Sequence, residues 1–362
     1  MQSSSAITLD ATHFGLPKPT GVERYVDALL PLLTRELQSR GARVAWVGHG
    51  QAPAGIPDTA AWLSSPYRRF WGQTGLPKLL AQTRPDLFFT PSGIAPVRTA
   101  VKTAMTVHDL GAYEVPAAYS LGQRVRLKGL SRRAAVGASR IIVPSRYTAG
   151  QVKNYWKIDE SRIVVVPEGY VRCEADEEPI PALADMPFFL FVGRLETKKN
   201  LLPLLLGFEK LIVESGGNVR LVLAGGQGFG YRQISREIAR LNPAAESCVI
   251  ETDYVTDGQK RWLYANAAAG VVPCPIEGFG LPVLDCFAAG IPVVCARAGA
   301  LPEVGSDACL FAVPESPTDW YLQLRDALGG NEELVKRGRK YLATYDWTLA
   351  AAKTAEALQA CL

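Results

Sequence analysis

Two carboxylates and two glycines crowd one short stretch of the chain, Glu277-Gly-Phe-Gly-Leu-Pro-Val-Leu-Asp285. Gly278 and Gly280 let the backbone come close to a ligand. Pro282 suits the first turn of a helix, where its missing N–H would be unpaired in any case. The bare N–H groups and the dipole at such a start suit a diphosphate. Glu277 before the helix and Asp285 one turn inside it can accept hydrogen bonds from sugar hydroxyls, including the vicinal pair of a ribose. Spacing alone fits a plain loop acid and a solvated helix position as well. A second stretch, Gly193-Arg-Leu-Glu-Thr-Lys-Lys199, follows an apolar run. It places Arg194, Lys198 and Lys199 where they can neutralise phosphate, with a solvated basic loop as the competing reading. His108, with Asp109 beside it, follows the apolar run 104–107. A neutral imidazole there can bind a sugar hydroxyl; a structural histidine is the alternative.

These residues need strand ends to stand on. Short apolar runs at 7–9, 44–47, 87–89, 102–107, 140–143 and 162–166 read as strands, and so do 188–192, 220–223, 247–250, 270–272 and 292–295. Most are continuous rather than alternating, as expected of strands buried on both faces. Helical patterns fall between them at 21–40, 201–214, 231–241, 258–267 and 281–289, with a last helix at 347–361. Val22, Val26, Leu29, Leu30 and Leu33 line one face of the first, and Pro31 is expected to kink it. Such alternation means parallel sheets covered by helices, with ligands beyond the carboxyl ends of the strands.

A chain of 362 residues exceeds one ordinary domain. The acidic, proline-bearing stretch 174–187 reads as a linker, which divides the chain into 1–182, 183–342 and a closing helix, 343–362, expected to pack back on the first part. The net charge of +4 conceals an asymmetry: 21 Lys/Arg against 11 Asp/Glu over residues 1–170, and 18 against 24 over the rest. The first half should attract anions, a phosphorylated or lipid-phosphate substrate more readily than nucleic acid, since no basic stripe interleaved with aromatics occurs. Seven cysteines without a C-x-x-C pair argue against zinc and for reduced thiols in a cytoplasmic protein. Neither a leader peptide nor a membrane span is expected, so any membrane contact would be peripheral. The basic segment 122–134, together with Tyr67-Arg-Arg-Phe-Trp71, could supply it on the inner face of the cytoplasmic membrane. Gly225-Gly-Gln-Gly-Phe-Gly230 imitates a dinucleotide fingerprint, but Tyr231 occupies the position of the last glycine, so a simple turn is expected.

Taken together, "TGVERYV" (20–26), "TVHDLGAY" (106–113), "RIIVPSRYTAGQV" (140–152), "VVVPEGY" (164–170), "FLFVGRLETKKNLLPLLLGFEKL" (189–211), "LVLAGG" (221–226), "EGFGLPVLDCFAAGIPVVCARAGALPEV" (277–304) and "YDWTLAAAKTAEAL" (345–358) resemble the retaining glycosyltransferases of family 4 over nearly the whole chain. The resemblance implies the GT-B fold: α/β, two doubly wound, Rossmann-like parallel-sheet domains facing across a cleft. It implies Glu277 and His108 as catalytic residues beside the donor sugar. Arg194 and Lys199 would hold the donor diphosphate, with the backbones of Gly280 and Leu281 and, from the other domain, Gly21 and Val22. Asp285 stands where the family usually has a glutamate near the ribose, a shorter side chain. The activity implied is transfer of a hexose, mannose favoured, from GDP-sugar (or UDP-sugar) to a glycan or polyprenyl-diphosphate-linked acceptor in surface polysaccharide or lipopolysaccharide synthesis. No Asp-x-Asp pair occurs, so no metal is expected on the diphosphate. A phosphorylase or epimerase of the same fold, and an inactive nucleotide-sugar-binding subunit, are the alternatives.

Overall fold

The structure, a computed structural model, describes every residue except 1–3, 18, 66–69, 184–185 and 330. The chain divides into two units, one of residues 1–113, 121–171 and 345–362, the other of 114–120 and 172–344.

The first unit holds seven strands: β1 (Ala6–Asp10), β2 (Arg43–His49), β3 (Ala61–Ser65), β4 (Leu87–Thr90), β5 (Lys102–Thr106), β6 (Arg140–Val143) and β7 (Ile163–Val165). They pair in the order β3-β2-β1-β4-β5-β6-β7, all parallel. The second unit holds β8 (Phe188–Val192), β9 (Arg220–Ala224), β10 (Val249–Asp253), β11 (Ala269–Val272), β12 (Val293–Ala296) and β13 (Leu310–Ala312). Their order, β10-β9-β8-β11-β12-β13, is also parallel throughout. Both sheets run outward from their first strand in one direction and then in the other. Each therefore has a switch point, β1/β4 in the first and β8/β11 in the second, where the following loops diverge and leave room for a ligand. Both units are thus the doubly wound, Rossmann-like domains expected.

Central strands are buried end to end, as in β4, β11 and β12, which is why they read as unbroken apolar runs. Two edge strands are missing from the sequence reading: β3 is half-exposed and shows no such run, whereas β13 lies in the apolar stretch 308–313, which was passed over. Several helices were likewise not anticipated, among them Gly75–Thr83, Pro317–Ala327 and Glu332–Leu342. The basic segment is helical from Leu121 to Gly137, widened by a π turn at Arg126–Ser131. Tyr67 to Arg69, expected beside it, lie outside the described residues.

Helix Gly21–Ser39 carries a continuous buried stripe of Tyr25, Val26, Leu29, Leu30, Leu33 and Leu37. It lies against Leu9 of β1, Trp46 of β2, and Trp347, Ala351 and Leu358 of the last helix, Trp347–Gln359. Each large apolar side chain buried there is worth about 1.5–3 kcal/mol. Pro31 does not end the helix. Thr34, fully buried, links the two layers: its hydroxyl donates to the Leu30 carbonyl (2.8 Å) and accepts from Trp46 Nε1 (2.8 Å). Polar ties hold the last helix in place. Lys102 Nζ donates to the Cys361 carbonyl (2.8 Å) and Arg40 to Gln359 (3.0 Å).

The loop after β7 meets the start of that helix. Tyr170 N–H donates to the Tyr345 carbonyl (3.0 Å), and a Cβ on Gly169 would stand 2.3 Å from the Trp347 backbone nitrogen. Backbone cannot yield as a side-chain tip can, so only glycine fits. Gly169→Ala should destabilise the first unit by about 1–3 kcal/mol, the usual cost of overpacking. The urea midpoint would fall with little change in slope; an unchanged midpoint would rule out this close approach.

Candidate active site

At the switch point of the second unit, the loops after β8 and β11 meet through one ion pair. Lys199 Nζ lies 2.9 Å from Glu277 Oε2, with the two side chains 17% and 20% exposed. Burial by itself would push the Glu277 carboxyl up, but the Lys199 ammonium holds it below the ordinary range. The converse holds for Lys199, which burial would pull down and Glu277 keeps above its ordinary value. Both are therefore charged through the neutral range. Cys274, beneath them, is pushed up to about 12 by burial and stays a thiol. Its Sγ lies 3.3 Å from the Lys198 carbonyl.

Helix Leu281–Ala289 starts beside this pair. Gly280 caps it at φ +119, a conformation that glycine adopts without strain. The backbone of Glu277 is fixed by the Ala300 N–H, which donates to its carbonyl at 2.9 Å. Arg194 leaves the end of β8 exposed, and its guanidinium has no polar partner among the described residues. Lys198 is turned to Glu196 (3.3 Å) and lies over the Tyr119 ring (5.9 Å). Asp285 is tied to Lys260 Nζ at 2.7 Å. Lys260 stands on helix Asp257–Asn266, and no local spacing announces the contact.

In the first unit, the switch point is closed by Asp10 at the end of β1. Its carboxylate accepts from Thr12 N–H (3.0 Å) and, across to β4, from the Thr90 hydroxyl (2.9 Å). Gly21 and Val22 occupy the first turn of their helix. There Glu23 folds back to accept from the Thr20 N–H at 2.9 Å and from the Thr20 hydroxyl, a capping box. Its carboxyl is raised by burial but brought below the ordinary range by these bonds. The helix start expected to face a diphosphate thus already carries a carboxylate.

His108 stands beyond β5. Its Nε2 is 2.8 Å from the Pro91 carbonyl and its Nδ1 3.6 Å from Glu168 Oε1. The ring meets the edge of Tyr25 at 4.7 Å. Burial would lower its pKa, but Glu168, the Pro91 carbonyl and Asp109 together raise it above 6.5. The neutral imidazole anticipated from the sequence is therefore not what this geometry favours, because both ring nitrogens face acceptors. Glu168 and Tyr25 were missed although both lie in quoted motifs. A lone acid just past the apolar run 162–166 was the available signal for Glu168, the same logic that singled out Arg194.

The Lys199–Glu277 pair makes a pH prediction. A carboxyl lowered on folding contributes stability that is present above its unfolded value, near 4.5, and fades as pH falls through the lower folded value. Lys199→Met should remove that acid-side contribution. Urea titrations of wild type and variant between about pH 3 and 7 should differ at neutrality and converge in acid. Parallel curves would show that the two groups are not coupled.

The sequence matches the family described as "Glycosyl transferases group 1" over residues 186–354 and "Glycosyltransferase Family 4" over 19–171. It is 29% identical over 225 residues to O-antigen chain mannosyltransferase B of Escherichia coli, covering 59% of this chain and 58% of that protein. It is 26% identical to D-inositol 3-phosphate glycosyltransferase of Segniliparus rotundus over 234 residues, 59% of this chain and 50% of that one. The match thus spans only half or a little more of these curated relatives. The fold is shared over nearly full length with sucrose-phosphate synthase of Thermosynechococcus elongatus (TM-score 0.73, 19% identity, 97% and 98% of the two chains). It is shared also with WaaG, a glycosyltransferase involved in lipopolysaccharide biosynthesis (0.67, 16%, 97% and 99%). Two matched domains on two Rossmann-like sheets, with Lys199 and Glu277 meeting at a switch point, place the chain among the family 4 glycosyltransferases of the GT-B fold.

Proposed function

We propose that this protein transfers a hexose, mannose in preference, from a nucleoside-diphosphate sugar to a glycan or lipid-linked acceptor, with retention at the anomeric carbon. The reading places it in surface polysaccharide or lipopolysaccharide synthesis. The observation that carries it is the pairing of Lys199 with Glu277 at the strand ends where helix Leu281–Ala289 starts, with Arg194 exposed at the end of β8 and without a polar partner among the described residues. An ammonium has three N–H groups, so Lys199 can keep Glu277 and still donate to a phosphate oxygen. Arg194 adds a planar fork suited to the same group. Fixed cations of this kind stabilise charge as it develops on the departing nucleoside diphosphate, and each such donor is commonly worth about 10²–10³ in rate. In this proposal they take the part a metal would otherwise play. Glu277, held ionised by Lys199, accepts from hydroxyls of the donor sugar. Relatives named as mannosyltransferases support mannose as the sugar, and GDP is the carrier we propose for it; a structural neighbour from Anabaena was solved with UDP and glucose.

A second reading, a nucleotide-sugar binder without transfer, draws on Asp285, whose carboxylate is tied to Lys260 rather than left open for a ribose. One set of measurements separates the two. GDP, UDP, ADP and their sugars are compared by thermal shift, where a ligand at 100 times its dissociation constant adds about 2.7 kcal/mol. Glu277→Gln is then assayed for transfer to an acceptor pool. The transferase reading expects a shift with one base, GDP foremost, and loss of turnover in Glu277→Gln with that shift retained. Unchanged turnover in the variant would sink it.

We further propose peripheral attachment to an anionic membrane on its cytoplasmic face. Between 121 and 137 the chain has Arg124, Arg126, Lys128, Arg132 and Arg133 and no acid. Leu121, Val125, Leu130 and Val136 are exposed on the same segment, and Arg162 fixes its far end through the carbonyls of Ala135, Val136 and Ala138. Near such a surface each cation contributes about 1 kcal/mol. Among the described residues no helix is long and apolar enough to cross a bilayer. Vesicles containing phosphatidylglycerol should carry the protein in flotation, phosphatidylcholine vesicles should not, and Val125→Glu with Leu130→Glu should abolish the difference. Equal flotation with both lipids would overturn the assignment.

A further inference from the structure

The buried acid Glu168 has no part in the chemistry described so far. It is 5% exposed and stands on the loop after β7, which is held against the last helix by the Tyr170 to Tyr345 bond and by the glycine at 169. Its ionisable neighbour is His108, with Nδ1 3.6 Å from the carboxylate. The ring of His108 is boxed in: Pro91 comes from the loop after β4, Glu168 from the loop after β7, and Tyr25 meets it edge-on from helix Gly21–Ser39. Tyr25 presents no charge. Its hydroxyl is turned to Thr106 (3.2 Å), and burial keeps it a phenol. Asp109, next in the chain, is the other acid near the ring.

The tautomer follows from the partners. The Pro91 carbonyl can only accept, so Nε2 carries a hydrogen. In a neutral ring the remaining lone pair at Nδ1 would then point at the Glu168 carboxylate, lone pair against lone pair. A second hydrogen at Nδ1 removes that repulsion and turns it into attraction. At 3.6 Å the Nδ1 contact is an ion-pair rather than a hydrogen-bond distance, so it favours charge without saturating the donor.

We propose that Glu168 is a positioning residue that holds His108 as an imidazolium, so that the ring acts as a fixed cation and hydrogen-bond donor and not as an acceptor for a sugar hydroxyl. The catalytic consequence rests on the transferase reading above; the protonation state does not. In this role activity is present while the ring is charged and is lost as pH rises through its pKa. Glu168→Gln is nearly isosteric, and its amide N–H can donate to a neutral Nδ1, keeping the ring in place but without charge.

The test is the imidazole NMR titration of the full chain, whose three histidines are assigned with His108→Gln. In wild type the His108 midpoint should lie above 6.5 and in Glu168→Gln at or below it, with Asp109→Asn moving it less. The alkaline limb of kcat should follow the same midpoint and shift acidward in Glu168→Gln, with donor affinity largely kept. A wild-type midpoint at or below 6.5 overturns the proposal even if the variant fails to fold, and so does a midpoint that Glu168→Gln leaves in place. A midpoint that behaves as stated in a protein with no transfer to any acceptor supports the dyad and tells against the transferase reading instead.

Discussion

Everything at these sites depends on a constraint of parallel sheets. A strand cannot pair in parallel with its neighbour until the chain has crossed back over the sheet, so every strand ends on the same edge. Loops that are far apart in sequence are thereby gathered in one place. Lys199 and Glu277 lie 78 positions apart and meet only because β8 and β11 are neighbours across the point where strand order reverses. Asp10 and Thr90, 80 positions apart, meet at the equivalent point of the first sheet.

Electrostatics then decides which gathered groups stay charged. The Lys199–Glu277 pair keeps about a fifth of each side chain exposed, so part of its attraction is screened by water, and its value to the fold is correspondingly modest. Its larger effect is on chemistry: it locks one carboxylate in its ionised form and aims one ammonium. Lys260 Nζ likewise holds the Asp285 carboxylate in place, at 2.7 Å. Arg194, by contrast, is exposed at the end of β8 and has no polar partner among the described residues.

Packing sets the geometry of the first unit's site from behind. Trp347 of the last helix meets Tyr25 at 5.5 Å, and Tyr25 meets His108 at 4.7 Å, so the closing helix supports the histidine through one intervening ring. The same helix presses on the glycine that follows Glu168. Both partners of the dyad are thus held by residues remote from them in sequence.

How much of this could be read beforehand follows from the range of each interaction. Local signals made the central strands legible, because burial on both faces demands an unbroken apolar run, as in β4 and β12. They also announced helix Leu281–Ala289, whose capping glycine and early proline are neighbours in sequence. The edge strand β3 left no such mark, since a half-exposed edge does not require one, whereas β13 did carry an apolar run, at 308–313. The sequence by itself determined the alternation of strands and helices, and with it the set of residues that end up beyond strand ends: Arg194, Lys199, Glu277 and His108. Only the tertiary structure decided their partners: Asp285 bound to Lys260, the helix start at Gly21 already bearing Glu23, and His108 set between the Pro91 carbonyl and Glu168. A charge state depends on what lies within a few ångströms in space, and chain position alone does not specify that.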